Sequence, residues 1–350
     1  MTRRVRVGLA GLGRMGRIHA VNLSTRCASA ELACVFDADT AAARQVGEQL
    51  GVPCAPSYGD LLADPSVDAV AIATPTATHA GLCALAAKAD KHIFCEKPIS
   101  LDRQETIGTI EAVLSAGVIF QVGFHRRFDP DWAAAVDRMR AGELGDVYLF
   151  RTSLRDMIPP KVEYLAGSGG FFVDCTIHDL DAARWMVGEI TEVSAYGTAV
   201  SDPAFAAIGD IDTAVVVLRF ENGALGVIDN SRAAGYGYEC STEVMGRSAT
   251  VRIDHPEVRH YEWRTPGQAA RVLPRDFEQR YPDAYAAELE SFARCVRDGL
   301  PPLVSAHDGL AAFDLAVAAT QSWRSGRSVR VTAERTGAGV VYQVADGIAG

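Results

Sequence analysis

A glycine-rich hexapeptide constrains the fold of this chain more than any other feature. GLGRMG, residues 11–16, directly follows the apolar run 5–10 and precedes a helical pattern. GxGxxG alone is a weak signal. Between a strand and a helix, however, it supplies a tight turn, a close backbone approach to a pyrophosphate and helix N-terminal amides that face the anion. The segment therefore predicts a dinucleotide site.

Asp37 supports the same interpretation, because it ends the second apolar run 21 residues after Gly16, where a carboxylate can accept from ribose hydroxyls. A carboxylate there repels a 2′-phosphate, which favours NAD over NADP. Asp39 and Arg44 lie close enough to leave that choice open. The alternative for Asp37 is an N-cap of the next helix, a position for which Asp39 and Thr40 compete.

The first third of the chain alternates short apolar runs with helical patterns. This order predicts a parallel sheet covered on both faces, the doubly wound Rossmann architecture, in a domain that spans residues 1–124. The predicted strands are 5–10, 32–36, 67–73, 92–95 and 118–122, and the predicted helices are 15–24, 40–50, 76–89 and 102–116.

After a helix at 130–141 the pattern changes to strands in series. It predicts a C-terminal α+β domain, residues 125–331, with a large, mostly antiparallel sheet that leaves one face open. The predicted strands are 148–154, 193–198, 213–220, 224–230, 243–245 and 250–253, and later helices are expected at 285–297 and 307–325. Residues 332–350, rich in Gly and Ala, are expected to form a C-terminal extension.

Composition excludes several classes of partner. A net charge of −10 argues against nucleic acid and anionic membranes, both of which select a basic surface. No uncharged stretch approaches the length of a membrane span. The eight cysteines are scattered without a CxxC pair, which is typical of a reduced, cytoplasmic protein. No cluster has metal-ligand spacing, so we expect no metal.

The stretch GGFFVDCTIHDLDAARW, residues 169–185, predicts an unusual helix. Asp174, His178 and Asp181 are spaced i, i+4 and i+7 and so share one sector, whereas Asp179 points elsewhere. The rest of the circumference is largely apolar, as in a buried helix. Buried acids are costly unless they are paired or functional, so this sector is a candidate active site. The alternative is a His-carboxylate pair satisfied inside a core.

Lys97 is a second candidate, in the sequence CEKP at 95–98. It follows a predicted parallel strand, and the carboxyl ends of such strands face the ligand crevice. An ammonium beside a cofactor can stabilise an alkoxide. The alternative is a lysine that is simply solvated.

Four segments in this order, GLGRMG, ATPTATH at 73–79, CEKP and GGFFVDCTIHDLDAARW, resemble the Gfo/Idh/MocA family of oxidoreductases. The resemblance extends to about residue 331. Within the family, residues 123–132, 230–246 and 281–305 are most similar to the inositol dehydrogenase branch. The resemblance implies NAD-dependent oxidation of a ring hydroxyl of a small polyol, above all myo-inositol to its 2-keto form. Another inositol isomer, an inosamine or a pyranose sugar are alternatives, and a non-catalytic, ligand-sensing regulator is a remote one.

The resemblance also implies roles for individual residues. His178 is the general base, Asp174 orients it, and Lys97 stabilises the alkoxide. The implied polyol contacts are Arg127, Asp156, Asp181, Tyr236 and Tyr285. The implied cofactor contacts are Gly11, Gly13, Arg14, Met15, Gly16, Asp37, Thr74, Pro75, His79, Glu96 and Lys97.

Four of the implied polyol contacts have structural alternatives: a surface ion pair for Arg127, a turn residue for Asp156 and packed aromatics for Tyr236 and Tyr285. His125, where the family more often has methionine, departs from the pattern, as does the absence of a proline directly after Asp156. Both departures leave the choice of polyol open. Relatives and the open sheet face together lead us to expect a homo-oligomer, a dimer or a tetramer.

Overall fold

The computed structural model describes residues 3–254, 262–270, 272–337 and 339–345, apart from the side chain of residue 162. The chain divides into two compact units. The first comprises Met1–Asp129 and Asp283–Leu310, and the second comprises Pro130–Pro282 and Ala311–Gly350. Among the described residues, every helix is too short or too polar to cross a lipid bilayer.

The first unit contains a five-stranded parallel sheet in the order β2-β1-β3-β4-β5, as the alternation of strands and helices predicts. Its strands are β1 (Val5–Ala10), β2 (Ala30–Phe36), β3 (Ala69–Ile72), β4 (His92–Glu96) and β5 (Phe120–Gly123). Its first helices are α1 (Arg14–Thr25), α2 (Thr40–Leu50), α3 (Tyr58–Ala63), α4 (His79–Lys88) and α5 (Arg103–Ala116), with 3₁₀ turns at Thr76–Thr78 and His125–Phe128.

Helix α2 shows how local chemistry sets the ends of an element. The Asp39 carboxylate accepts from the amides of Ala41 and Ala42 and caps the start, and Gly51 ends the helix in the left-handed conformation at φ 68°. Asp39 is therefore the N-cap of this helix, and the alternative role for Asp37 is not needed.

The second unit contains an eight-stranded sheet in the order β11-β10-β6-β9-β8-β7-β14-β15. Only the β6–β9 pair is parallel within this sheet as described; its other pairs are antiparallel. The elements from residue 130 onward are α6 (Pro130–Arg140), β6 (Val147–Arg155), α7 (Val162–Leu165), α8 (Ile177–Val187), β7 (Ile190–Thr198), α9 (Pro203–Ala207), β8 (Thr213–Phe220), β9 (Leu225–Ser231), β10 (Glu239–Gly246), β11 (Thr250–Ile253), β12 (Trp263–Thr265), β13 (Gln268–Ala270), α10 (Phe277–Arg280), α11 (Pro282–Asp298), α12 (Ala306–Ser325), β14 (Val329–Thr336) and β15 (Gly339–Val344).

Strand β8 shows that one face of this sheet is open. Val216 and Leu218 are buried, whereas the alternate residues Val215 and Val217 remain 41% and 39% exposed. Period-two burial of this kind confirms the predicted open-faced sheet.

Helix α11 is placed differently from the prediction, which assigned it to the domain 125–331. Leu289, Phe292 and Ala293 from this helix belong to the same hydrophobic core as Val7 and Leu9 of β1. The amphipathic pattern identifies a helix, but it carries no information about which sheet the apolar face covers.

The segment after residue 331 also differs from the predicted extension. Strand β14 continues to Thr336 and pairs antiparallel with β15, from Val331 opposite Val344 to Thr336 opposite Gly339. Buried Tyr342 anchors this hairpin, because its hydroxyl accepts from the Ile190 amide and donates to Glu189. Residues 338 and 346–350 of the predicted extension lie outside the described residues.

Candidate active site

The loops after β1, β2, β3 and β4 form the candidate cofactor site of the first unit. In the order β2-β1-β3 the chain passes to opposite sides of β1, and open α/β sheets bind ligands at the carboxyl ends of strands beside such a switch point. The predicted cofactor residues follow these strand ends.

Two glycines of the hexapeptide are required by close packing. A Cβ on Gly11, where φ is 92°, would lie 2.6 Å from the backbone of Ala73 and Thr74. A Cβ on Gly16 would lie 1.9 Å from the Gly11 carbonyl oxygen. Neither position has room for a side chain. Glycine therefore allows the loop to pack against the end of β3 and helix α1 to pack against the loop.

Gly13 has the opposite environment. A Cβ there would meet nothing within 4 Å, and the residue is the exposed N-cap of α1, with Arg14 exposed and Met15 half-buried behind it. Space in front of a helix N-terminus suits a pyrophosphate, so the loop fits a dinucleotide.

Gly13→Ala is therefore expected to leave the fold unchanged and to weaken NAD binding, because the added methyl group occupies the space that we assign to the pyrophosphate. Thermal unfolding and NAD titration separate the two effects. Gly11→Ala is the contrasting variant, and we expect it to lower Tm because its Cβ clashes with backbone at positive φ. Unchanged NAD affinity in Gly13→Ala would contradict the assignment.

Asp37 is linked directly to the hexapeptide. Its Oδ2 accepts from the Leu12 amide at 2.6 Å and its Oδ1 accepts from the Asp39 amide at 2.8 Å. Each carboxylate oxygen has two lone pairs, so capacity for ribose hydroxyls is left after these bonds.

His79 is buried and connects two of the loops. Its Nε2 lies 2.8 Å from the Thr74 carbonyl oxygen and its Nδ1 lies 2.8 Å from the Pro98 carbonyl oxygen. Both ring nitrogens therefore face backbone, and the structure places His79 as a link between Thr74–Pro75 and the CEKP segment.

Glu96 and Lys97 lie at the end of β4. Glu96 Oε1 lies 2.6 Å from Nε2 of His19, a buried residue of α1. Lys97 follows directly, is half-buried, and precedes Pro98 through a cis peptide bond. The lysine is thus attached to a loop that His79 and His19 hold from two sides.

In the second unit, the candidate catalytic residues lie on the helix of the 169–185 stretch. It begins after Gly169 and Gly170, whose φ values are 85° and 87°, and its first turn, Phe172–Thr176, is a π-helix that continues into α8. Positive φ gives these glycines a backbone role in turning the chain into the helix. π turns within helices occur frequently at functional sites.

Two residues of this helix reach the surface of their unit. From residue 171 to residue 184 every side chain is buried except Asp174 and His178, which are partly exposed. Asp181, predicted in the same sector, is only 1% exposed. The structure thus brings Asp174 and His178 to one surface and places Asp181 deeper.

Arg232 holds the Asp174 carboxylate. Its guanidinium donates to Asp174 Oδ2 at 2.8 Å and to Asp210 at 3.4 Å, and lies 5.1 Å from the Phe171 ring centre. The Tyr164 hydroxyl donates to Asp174 Oδ1 at 2.9 Å. An arginine and a phenol thus hold the two oxygens of the Asp174 carboxylate in a defined orientation.

Asp179 belongs to a separate network that attaches the helix to the sheet. Its carboxylate accepts from the Asn230 amide at 3.0 Å and from the Thr152 hydroxyl at 3.2 Å. Thr176 donates to the same asparagine at 2.7 Å. Asp179 is therefore a structural residue.

Burial raises the pKa of the neighbouring Cys175 thiol well above its usual range, which leaves no thiolate nucleophile there.

The remaining predicted polyol contacts fall in both units. In the first, Arg127 is buried and pairs with Asp308 at 3.1 Å, and Tyr285 stacks on His125 with ring centres 4.6 Å apart.

In the second unit, Asp156 is partly buried directly after β6. Tyr236 is exposed and donates to Glu239 at 2.5 Å. Partial burial and the Glu239 charge raise the pKa of this phenol, so it remains a neutral donor.

Sequence analysis missed Arg232, Asp210 and Tyr164. Arg232 lies in the segment 230–246 that carries part of the resemblance, but no local pattern connects it with Asp174. Folding also brings His19, Glu96 and Glu288 together, with side-chain ligand atoms within 4.8 Å of one another, although their spacing in sequence predicts no cluster.

A parallel dinucleotide-binding sheet, joined in one chain to a second unit with a histidine and a carboxylate at its surface, is the arrangement of a two-domain dehydrogenase. Family models agree with it. The model "Oxidoreductase family, NAD-binding Rossmann fold" matches residues 5–124, and "Oxidoreductase family, C-terminal alpha/beta domain" matches residues 137–331. The chain belongs to the Gfo/Idh/MocA family and is an NAD-dependent oxidoreductase.

Individual relatives cover nearly the whole chain. It is 39% identical to scyllo-inositol 2-dehydrogenase (NAD(+)) of Bacillus subtilis over 97% of this chain and 100% of the relative. It is 42% identical to myo-inositol 2-dehydrogenase of Thermotoga maritima over 93% of this chain and 98% of the relative. A crystal structure of scyllo-inositol dehydrogenase from Lactobacillus casei with bound NAD(H) and scyllo-inositol has a TM-score of 0.87 and 29% identity, covering 94% of this chain and 99% of that one.

Proposed function

We propose that this protein oxidises one ring hydroxyl of a cyclitol to a ketone, with conversion of myo-inositol to 2-keto-myo-inositol as its reaction. The observation that carries the proposal is the pair Asp174 and His178, partly exposed on an otherwise buried helix. The names of the relatives support the substrate class.

The proposed chemistry balances as a proton and a hydride removed from one carbinol group. The glycine loop and Asp37 would hold NAD, which would supply the acceptor for the hydride of the ring carbon. His178 accepts the hydroxyl proton as general base. The Lys97 ammonium stabilises the negative charge that develops on the hydroxyl oxygen.

Asp174 acts through His178 in this proposal. Because Arg232 and Tyr164 hold its two oxygens, the carboxylate has a defined position from which to orient the histidine. Arg127, Asp156, Asp181, Tyr236 and Tyr285 remain proposed polyol contacts, of which the buried, ion-paired Arg127 best fits a positioning role.

Purified protein should form NADH with at least one inositol isomer. We would measure NADH absorbance with myo-, scyllo- and chiro-inositol, an inosamine, glucose and xylose, each with NAD and with NADP. The highest kcat/KM is expected for myo-inositol with NAD. The similar identities to a scyllo- and a myo-inositol enzyme make scyllo-inositol the principal competitor. Turnover of a pyranose alone would reassign the substrate, and no turnover of any polyol would favour a sensing role.

We also propose a cytoplasmic homo-oligomer, dimeric or tetrameric. The exposed valines on the open face of β8 could be covered by a second copy, and none of the eight cysteines, all of them described residues, forms a disulfide, as in a reducing compartment. Light scattering of the purified chain measures the oligomeric state.

A further inference from the structure

Three ionisable residues meet inside the first unit, beside the loop that carries Lys97. They are His19 on α1, Glu96 at the end of β4 and Glu288 on α11, with ligand atoms within 4.8 Å of one another. His19 and Glu288 are completely buried, and the Glu96 side chain is 13% exposed. Two carboxyl groups in such an environment are costly unless something neutralises one of them.

The hydrogen bonds of this cluster are incomplete. His19 Nε2 lies 2.6 Å from Glu96 Oε1. Within the part of the chain that the structure describes, His19 Nδ1 and both Glu288 carboxyl oxygens are buried without a hydrogen-bond partner. A buried polar atom without a hydrogen bond costs free energy, so these atoms require a proton or an ion that satisfies them.

Among the described residues, no lysine or arginine donates a hydrogen bond to the Glu288 carboxyl group. The rings of Phe94 and Tyr285 flank His19, with centres 5.2 and 6.2 Å away. The Gln121 amide donates to the main-chain carbonyl of Glu288, at 2.9 Å, rather than to its carboxyl group. Burial raises the pKa of the Glu288 carboxyl well above its ordinary value, and the Glu96 charge raises it further.

We propose that Glu288 is a positioning residue that carries a proton and donates it to His19 Nδ1, so that His19 donates from Nε2 to Glu96. One proton on Glu288 then provides a hydrogen bond between a Glu288 oxygen and His19 Nδ1. The neutral imidazole lies between the Glu288 carboxylic acid and the Glu96 carboxylate. One ligand atom of each of the three side chains lies within 4.8 Å of the other two. Rotation of the glutamate side chain or one bridging water can complete the bond from Glu288 to His19 Nδ1.

A bound cation accounts for the cluster less well. With Nε2 already engaged by Glu96, the groups left for a metal are His19 Nδ1 and the Glu288 carboxylate. Structural zinc sites use four protein ligands. A proton satisfies the same atoms without requiring further ligands.

The consequence for the reaction rests on the proposed role of Lys97. Glu96 precedes Lys97 directly, so a chain from Glu288 through His19 to Glu96 fixes the backbone that carries the lysine. A neutral Glu288 also leaves one negative charge in the cluster instead of two. Lys97 is thereby attached to a backbone that the cluster holds in place.

Glu288→Gln tests the proton directly, since glutamine can donate to His19 Nδ1 and is never ionised. At pH 7 the infrared band of a neutral carboxylic acid is expected in the wild type and absent in Glu288→Gln. Glu111→Gln, which changes an exposed glutamate of α5, is the matched control and should retain the band.

The pH dependence of Tm is a second readout that needs no substrate. The pKa of Glu288 is higher in the folded state than its unfolded value of 4.5. Its contribution to wild-type stability therefore falls as pH rises above 4.5. The Glu288→Gln variant has no ionisable group at this position, so it does not lose stability in this way. The Tm of Glu288→Gln relative to the wild type should therefore increase from pH 4.5 toward pH 8, whereas the Tm difference for Glu111→Gln should not increase in this way.

Steady-state kinetics then test whether Glu288 positions the backbone that carries Lys97. Glu288→Gln should keep kcat and its pH profile within about threefold of the wild type. Glu288→Leu, which cannot donate to His19 Nδ1, should lower kcat roughly tenfold to a hundredfold. Near-normal kcat in the glutamine variant beside this loss would identify a positioning role that depends on the hydrogen bond. If the leucine variant fails to fold, the infrared and Tm measurements still decide the protonation state.

Three results would overturn the inference: no neutral acid band that depends on Glu288, a Tm difference that decreases with rising pH, or stoichiometric metal in the wild type that is lost in Glu288→Gln. Equal kcat in the leucine and glutamine variants would overturn the positioning role. Absence of turnover in the wild type would instead contradict the proposed function, because the infrared band and the Tm shift require no substrate.

Discussion

Replacing Lys97 by alanine should abolish most turnover and leave NAD binding nearly unchanged. The ammonium is proposed to stabilise the alkoxide that develops as the hydroxyl proton leaves, an interaction made mainly in the transition state. Removal of one such group typically costs about 10²–10³ in kcat, or about 3–4 kcal/mol. The fold should tolerate the change, because Lys97 is only half-buried.

The measurements are steady-state NADH formation and NAD titration on the same preparations. Lys88→Ala is the matched control, since Lys88 is an exposed residue in the last turn of α4. It should keep wild-type kcat. A Lys97→Ala enzyme that retains wild-type kcat would refute the alkoxide role, and one that loses NAD affinity in proportion to kcat would make Lys97 a cofactor residue only.

Arg232→Met is expected to be the most destabilising of the substitutions considered. The arginine side chain is 1% exposed and pairs with Asp174 and Asp210, which are themselves 14% and 10% exposed. Removing the arginine takes the guanidinium away from two poorly solvated carboxylates. Breaking a buried ion pair from one side usually costs about 3–5 kcal/mol.

Urea denaturation of the two proteins measures this loss as a difference in unfolding free energy. Arg219→Met is the control, because Arg219 is 60% exposed and its nearest pairing distance, to Glu192, is 3.9 Å. We expect that variant to change stability by less than about 0.5 kcal/mol.

The double variant Arg232→Met with Asp210→Asn should recover part of the loss, because it removes one of the two carboxylates that have lost the guanidinium. Equal effects of the Arg232 and Arg219 substitutions would show that the buried pair contributes nothing beyond a surface pair.

Local chemistry in the sequence determined many elements of this protein. Helix α2 occupies residues 40–50 as predicted, because its capping residues Asp39 and Gly51 are adjacent in sequence to its ends. Strand β8 occupies 213–220 as predicted, because alternating burial is written into its residues. The helical angle also placed Asp179 away from Asp174 and His178, in agreement with its bonds to Asn230 and Thr152.

Short or weakly patterned elements were not predicted. The six residues of α3 are too few to establish a helical period, and β15 lies in a Gly- and Ala-rich region that composition alone indicated to be an extension. Their stability depends on partners elsewhere in their units, such as the bonds of Tyr342 to Glu189 and Ile190.

The sequence by itself therefore determined the dinucleotide-binding sheet, the open-faced second sheet and the candidate residues Lys97, Asp174 and His178, because each depends on spacing over a few residues. Only the tertiary structure decided which charges meet. Arg232 pairs with Asp174 across 58 positions, and Glu288 reaches His19 and Glu96 because α11 packs in the core of the first unit. Such encounters depend on how distant elements pack, and the spacing of residues along the chain does not encode them.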